Sequence, residues 1–166
     1  MNALRIAQRF PHSLQGLQVR WRVGSVVEAG LLAGGIALAA MVAISVAAYD
    51  ESPWKLLRMM AAIVAGPGAL APADDFDAGI VAAGLAVHFA LAVLYTAALR
   101  SVLRDVPREA APLAGLAFGI ALYAANLHGF TALFGWFEEM RTADTFVAHA
   151  LFGLLAASLC PARRRN

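Results

Sequence analysis

Charged residues and cysteines are scarce in this chain. Only 14% of its 166 residues are Asp, Glu, Lys or Arg, against roughly 25% in soluble domains, and 61% are hydrophobic. The single cysteine, Cys160, excludes an internal disulfide framework and a cysteine-based metal cluster. The sequence contains no P-loop, nucleotide fingerprint, HExxH motif or nucleophile–base arrangement. The composition therefore predicts an integral membrane protein and not an enzyme, with the lipid bilayer and not nucleic acid as its partner.

The longest stretch without charge organises the predicted fold. Residues 110–137 contain no Asp, Glu, Lys or Arg, although a membrane crossing needs only about 20 apolar residues. Three other apolar runs have suitable lengths, and they cover residues 26–49, 78–99 and 142–159. The sequence therefore predicts an all-α integral membrane bundle of four transmembrane helices, which together form a transmembrane domain of residues 26–160.

An irregular segment separates the first two predicted spans. Ser52-Pro53 is typical of a helix start and Gly66-Pro67-Gly68 of a helix end, so we expect a short helix over residues 53–65. A helix of this length reaches about 20 Å and cannot cross a bilayer. It is either an interfacial helix on the outer side or a re-entrant half-helix. If it re-enters, Lys55 and Arg58 on one of its faces become candidate outer-mouth residues that bind an anion.

The distribution of basic residues predicts the orientation. The N-terminal segment 1–25, the loop after the second predicted span and the tail 161–166 carry ten of the 13 Lys and Arg residues. Because basic residues concentrate on the cytoplasmic side of membrane proteins, both termini are expected in the cytoplasm. The chain is then a multi-pass protein with a basic cytoplasmic segment at each end.

Three predicted spans carry one histidine each. His88, His128 and His149 lie about 18–24 Å from the inner boundary of their spans, and each shares a helical stripe with small or polar residues. We therefore expect the three imidazoles to converge inside the bundle. Four neighbours at this depth complete the candidate intramembrane polar site: Asn126, Tyr95, Thr131 and Thr145.

Such a site has three interpretations. Ionisable residues inside a membrane mark a functional site by default, here a transport, channel or proton-responsive module. Two or three of the imidazoles could instead hold a metal or a haem, although the sequence requires no cofactor. In the third interpretation each imidazole only bonds the next helix, and the protein is a non-catalytic accessory subunit of a larger membrane complex.

Two glycine pairs predict close helix contacts. Gly30 and Gly34 lie in the first predicted span, and Gly115 and Gly119 in the third. Both pairs have the small-xxx-small spacing that lets two helix backbones approach. Because the pairs lie at similar depth, we expect the first and third spans to touch there, within one chain or across a homo-oligomer contact.

Several motifs together resemble a known family. These are Ser52-Pro53-Trp54, Gly66-Pro67-Gly68, Val87-His88-Phe89, the run 126–134 that begins Asn126-Leu127-His128-Gly129, and Ala148-His149. They are similar to a group of uncharacterised bacterial inner-membrane proteins related to the YagU-like proteins, some labelled sodium:proline symporter. The resemblance covers about residues 26–160. It implies a location in the bacterial inner membrane, few spans and no established catalytic residues.

Overall fold

The computed structural model describes residues 26–160. The two predicted cytoplasmic segments, 1–25 and 161–166, lie outside the described residues. All regular structure within residues 26–160 is helical, as predicted. Its five α-helices are α1 (Val26–Tyr49), α2 (Lys55–Ala65), α3 (Ala78–Val102), α4 (Ala111–Ala124) and α5 (Ala143–Leu159).

Three helical stretches are long and apolar enough to cross a membrane. They are Val26–Tyr49, Ala78–Asp105 and Ala111–Ala132. The second is longer than predicted because α3 continues beyond Arg100 into a 3-10 turn at Leu103–Asp105. Helix α5 is apolar but has only 17 residues, or about 25 Å. It therefore lies at the lower limit of lengths that span a bilayer.

The third predicted span is not one continuous helix. Helix α4 ends at Ala124 and continues as a π-helical turn, Ala125–Gly129, and then as 3-10 turns at Phe130–Ala132 and Gly135–Met140. The Arg141 guanidinium lies against this interruption. It donates to the Leu127 carbonyl at 2.6 Å and to the Thr131 hydroxyl at 2.7 Å. The Arg141 side chain thus supplies hydrogen-bond donors at the point where the regular backbone hydrogen bonds of α4 end.

Helix α5 is central in the bundle. It packs against α1, α3 and α4, and α3 packs in addition against α1 and α2. Helix α4 packs mainly on α5, and α2 mainly on α3. Within the described residues, close packing between α3 and α4 is not observed. The backbones of α3 and α4 are therefore separated by a gap, although Leu99 of α3 and Leu122 of α4 belong to one buried cluster of side chains.

The predicted contact between the two glycine pairs is wrong within this chain. A Cβ added to Gly34 would lie 2.7 Å from the Ala92 Cβ of α3, and one added to Gly30 would lie 2.9 Å from another α3 residue. A Cβ on Gly115 or Gly119 would instead meet the backbone of α5. Each pair thus packs on its own partner helix, because a small-residue face allows close approach without selecting the helix that approaches.

Helix α2 begins two residues later than predicted. Its N-cap is Trp54, whose backbone N–H donates to the Ser52 hydroxyl at 3.3 Å. The helix ends at Ala65, and its C-cap Gly66 has a positive φ of 81°. One face packs against α3, where a Cβ on Gly84 would meet the Leu57 carbonyl. Val64, seven residues after Leu57 and so close to the same helical face, is exposed. The chain returns to α3 through a 3-10 turn at Pro67–Leu70.

Candidate functional site

A partly open cavity of about 280 Å³ lies inside the bundle. Residues from α1, α2, α3, α5 and the interrupted end of α4 line it. Among the described residues, no Asp, Glu, Lys or Arg contributes to its wall. The apolar wall includes Ala37, Leu38, Met41, Leu56, Met60, Ile63, Leu91, Leu122, Phe130, Phe134, Phe137, Ala148 and Phe152. The polar wall consists of His88, Tyr95, Asn126, Thr145 and His149.

A hydrogen-bonded chain connects three of these polar side chains. The Tyr95 hydroxyl donates to Asn126 Oδ1 at 2.8 Å, and Asn126 Nδ2 lies 3.3 Å from His149 Nε2. His149 Nδ1 lies 2.8 Å from the Thr145 carbonyl. Because a carbonyl only accepts, Nδ1 carries the hydrogen, and Nε2 of neutral His149 accepts from Asn126. Asn126 therefore links α3 to α5 through both ends of its amide.

His88 lies on the same cavity but makes a separate bond. Its Nε2 atom donates to the Gly34 carbonyl of α1 at 3.1 Å, where the two helices are close because Gly34 has no side chain. In the described part of the chain, Nδ1 of His88 has no hydrogen-bond partner. A neutral imidazole in this tautomer keeps a lone pair at Nδ1. His88 is therefore the histidine of the cavity with a ring nitrogen available to a ligand.

The π turn determines which residue of this segment lines the cavity. The Phe130 backbone N–H donates to the Ala125 carbonyl, an i to i+5 bond that inserts one residue into the turn. Asn126 lines the cavity, whereas His128 is exposed and packs against the Tyr123 ring at a centroid distance of 5.7 Å. The structure thus brings His88 and His149 to one cavity and leaves His128 outside it.

The two candidate threonines have different positions. Thr145 lines the cavity, and its hydroxyl accepts from the Thr142 hydroxyl at 2.9 Å. Thr131 is buried outside the cavity wall and bonds Arg141 at the end of the interrupted helix. Thr145 therefore belongs to the candidate site, and Thr131 stabilises the turn that positions Asn126.

Lys55 and Arg58, the candidate outer-mouth residues, both interact with other groups of the protein. Arg58 is only 4% exposed and donates to the Asp75 and Ala69 carbonyls, so it holds the segment after α2. Lys55 pairs with Glu51 at 2.7 Å and Glu139 at 3.4 Å. The hydrogen bond that Lys55 donates to Glu51, together with the negative charge of Glu139, raises the pKa of Lys55. Both cations have protein partners, which opposes the predicted anion site.

Metal coordination finds little support in residues 26–160. That part of the chain contains no group of three or more His, Cys, Asp or Glu residues that could hold a metal ion. Of the four ring nitrogens of His88 and His149, three already have protein partners. Cys160 is buried at the end of α5 and does not line the cavity. The polar groups are arranged for hydrogen bonding.

Sequence reasoning missed the aromatic part of the cavity wall. Phe130, Phe134 and Phe137 come from the irregular segment after the π turn, where no helical period indicates which side chains point inward. Sequence reasoning also missed four lining residues of α1 and α2, because methionine and leucine are equally common on lipid-facing surfaces; they are Leu38, Met41, Leu56 and Met60. No family model, curated protein or solved structure matches this chain.

Proposed function

We propose that the protein is a small transport module of the bacterial inner membrane, which binds an uncharged solute in the cavity of a four-span bundle. The observation that supports transport is the cavity itself, with an apolar wall and a hydrogen-bonded polar side formed by Tyr95, Asn126 and His149. Ligand sites usually combine an apolar wall with a few convergent polar groups in this way. The resemblance to YagU-like inner-membrane proteins is part of the same proposal.

Helix α5 is the fourth span in this proposal. It has only 17 residues, but α1, α3 and α4 surround it and reduce its contact with lipid. A helix enclosed by protein tolerates a shorter apolar length, because flanking polar groups meet protein or water instead of hydrocarbon. With four crossings, both termini lie on the same side, and the basic residues favour the cytoplasm.

The outer segments of this topology contact one another. The Trp136 indole donates to the Met59 carbonyl at 3.2 Å, and Lys55 pairs with Glu139. Helix α2 and the turn before α5 therefore lie at the same end of the bundle. This contact supports a common side for the two segments, and the charge distribution assigns that side to the exterior.

Cysteine labelling tests the topology. In a Cys160→Ala background, Asp75→Cys and Glu139→Cys should react with an impermeant maleimide added to intact cells, since both positions lie in the outer segments. Asp105→Cys should react only after the membrane is opened. Mass spectrometry of the purified variants measures the labelled fraction. External labelling at position 105 with protection at 75 and 139 would reverse the orientation.

Substitution of one histidine inside the cavity and one outside it tests the role of the cavity in transport. We expect wild-type proteoliposomes to release glycerol, urea or phenyl β-D-glucoside at least tenfold faster than protein-free liposomes. His149→Leu should reduce this rate to the protein-free level, because it removes the partner of Asn126 from the cavity wall. His128→Leu makes the same chemical change outside the cavity and should keep the rate within twofold. Stopped-flow light scattering and radiolabelled efflux measure the rates.

Each possible outcome of this flux experiment leads to a different conclusion. Both variants must elute as folded protein in size-exclusion chromatography before their rates are compared. No acceleration of any of the three solutes by wild-type protein would contradict transport and favour the accessory-subunit interpretation. Equal loss of rate in His149→Leu and His128→Leu would show that the cavity is not the path.

A further inference from the structure

The cavity lies next to the gap between α3 and α4. Helix α3 packs on α1 and α2, and α4 packs on α5, whereas close α3–α4 packing is absent from the described residues. The hydrogen bond from Tyr95 to Asn126 crosses this gap. Leu91 of α3 and Leu122 of α4 line the cavity from either side, and the Phe130 side chain beside them is 49% exposed. The cavity is partly open, and the exposed Phe130 makes the side between α3 and α4 the inferred position of its opening.

The depth of this opening places it in the hydrocarbon core. Leu91 lies about 20 Å along the axis from the start of α3 at Ala78 and about 17 Å from its end at Val102. Both α3 and the stretch Ala111–Ala132 have the length and composition of membrane spans. An opening halfway along two such helices faces lipid tails and not water. A ligand can then enter the cavity sideways from the bilayer.

The polar groups of the cavity limit the charge of its ligand. Its wall has no Asp, Glu, Lys or Arg from the described residues, and a charged ligand would lose its hydration there without an opposite charge. The available groups are complementary to a hydroxyl. Nδ1 of His88 accepts, and the second N–H of Asn126, which has no partner in the described part, donates. A hydroxyl can satisfy both groups, whereas a carbonyl can satisfy only the Asn126 donor.

The volume of the cavity limits the size of the bound group. At about 280 Å³ it is nearly twice the size of the ~150 Å³ engineered cavity that admits benzene. One ring system or a short branched chain therefore fits inside. A longer apolar tail has to leave through the gap between α3 and α4 and remain among the lipid tails.

From these observations we propose that the cavity binds an uncharged amphiphile, which enters from the bilayer between α3 and α4 and places a hydroxyl-bearing head beside His88 and Asn126. The inference rests on the proposed function, because it names the solute class for the same cavity. It adds both a ligand chemistry and an entry route. It also assigns to Leu91 a position at the opening.

Three naphthalene compounds of similar shape test the ligand chemistry. Protein in phosphatidylcholine nanodiscs is dialysed against 1-naphthol, 1-naphthoate or naphthalene, and empty nanodiscs correct for partition into lipid. We expect saturable binding of 1-naphthol at about one per protein. Binding of 1-naphthoate should be at least tenfold weaker because of its charge, and naphthalene severalfold weaker because it lacks the hydroxyl. Binding of 1-naphthoate equal to that of 1-naphthol would overturn the ligand class.

Two tryptophan substitutions test the entry route. Leu91→Trp should block the opening and lower the affinity for 1-naphthol at least tenfold. Leu94→Trp makes the same change one turn away, at a side chain that is 60% exposed, and should leave the affinity unchanged. Circular dichroism and size-exclusion chromatography establish that both variants fold. Unchanged affinity in Leu91→Trp would overturn the route.

Asn126→Leu tests the placement of the hydroxyl. It should reduce the affinity for 1-naphthol to that for naphthalene, and no reduction would overturn this placement.

The failure of this inference is distinguishable from failure of the transport proposal. Selective binding of 1-naphthol without flux of any solute would contradict transport and leave the ligand site intact. Flux that depends on His149, without preference for 1-naphthol over 1-naphthoate, would support transport and overturn the ligand class.

Discussion

Replacing Gly153 by Ala is expected to separate α5 from α4 and to lower the free energy of unfolding by about 2 kcal/mol. An added Cβ would meet the Gly115 carbonyl and would lie 2.7 Å from the backbone nitrogen of Gly119. Backbone atoms of a packed helix cannot move aside as a flexible side chain can, so the helices must separate. The higher helix propensity of alanine returns only about 1 kcal/mol. Overpacking therefore dominates the result.

The control for this prediction is Gly135→Ala. Gly135 lies in the turn before α5, and no described atom lies within 4 Å of a Cβ built there. Unfolding in mixed detergent–SDS micelles, followed by circular dichroism, gives the free energies of both variants. We expect Gly135→Ala to behave as wild type within about 0.5 kcal/mol. Equal stability of the Gly153 and Gly135 variants would show that α4 and α5 are not in the close contact described.

Separation of these helices also affects the cavity. Asn126 lies in the π turn that follows α4, and His149 is on α5. Their hydrogen bond depends on the distance between the two helices, which the contact between Gly119 and the His149 backbone sets. Loss of packing at Gly153 should therefore abolish flux as well. The glycine contact is thus a structural requirement of the proposed site.

Helix positions were predictable where apolar length alone decides them. Helix α1 has the predicted boundaries, and α3 begins at the predicted residue. The interruption of α4 was not predictable, since residues 125–137 contain no charged residue and no proline that would end a membrane span. The π turn depends on Arg141, whose guanidinium reaches back 14 positions to the Leu127 carbonyl. A sequence pattern contains no information on such a long-range hydrogen bond.

The positions of the candidate site residues were also predictable only where they lie in uninterrupted helices. His88 and His149 lie in uninterrupted helices. Their depth in the bundle and their helical face could therefore be estimated from the α-helical rise of about 1.5 Å and rotation of about 100° per residue. His128 follows the inserted residue of the π turn, and its face could not be extrapolated from α4. Arg58 was a candidate outer-mouth residue because it is charged. It is buried because two backbone carbonyls after α2 need donors that the loop itself does not supply.

Replacing Arg58 by Met is expected to release residues 66–77 from α2 and to lower the free energy of unfolding by about 3 kcal/mol. The guanidinium donates through Nη1 to the Ala69 carbonyl at 3.1 Å and through Nη2 to the Asp75 carbonyl at 2.7 Å. A hydrogen bond from a charged donor contributes about 1.5–3 kcal/mol, and each buried carbonyl left without a partner costs about 1–3 kcal/mol. The apolar methionine offsets part of this loss by its own burial.

Lys55→Met is the matched control, because it removes a cation of the same helix, three residues away. Its ion pairs with Glu51 and Glu139 are partly exposed, and such pairs contribute about 0–1 kcal/mol. Hydrogen exchange distinguishes the two roles. In Arg58→Met the amides of residues 66–77 should exchange much faster than in wild type, while those of α3 beyond Gly84 change little. If Arg58→Met and Lys55→Met have the same stability and exchange, the buried guanidinium does not hold this loop, and α2 would be positioned by its apolar contact with α3 alone.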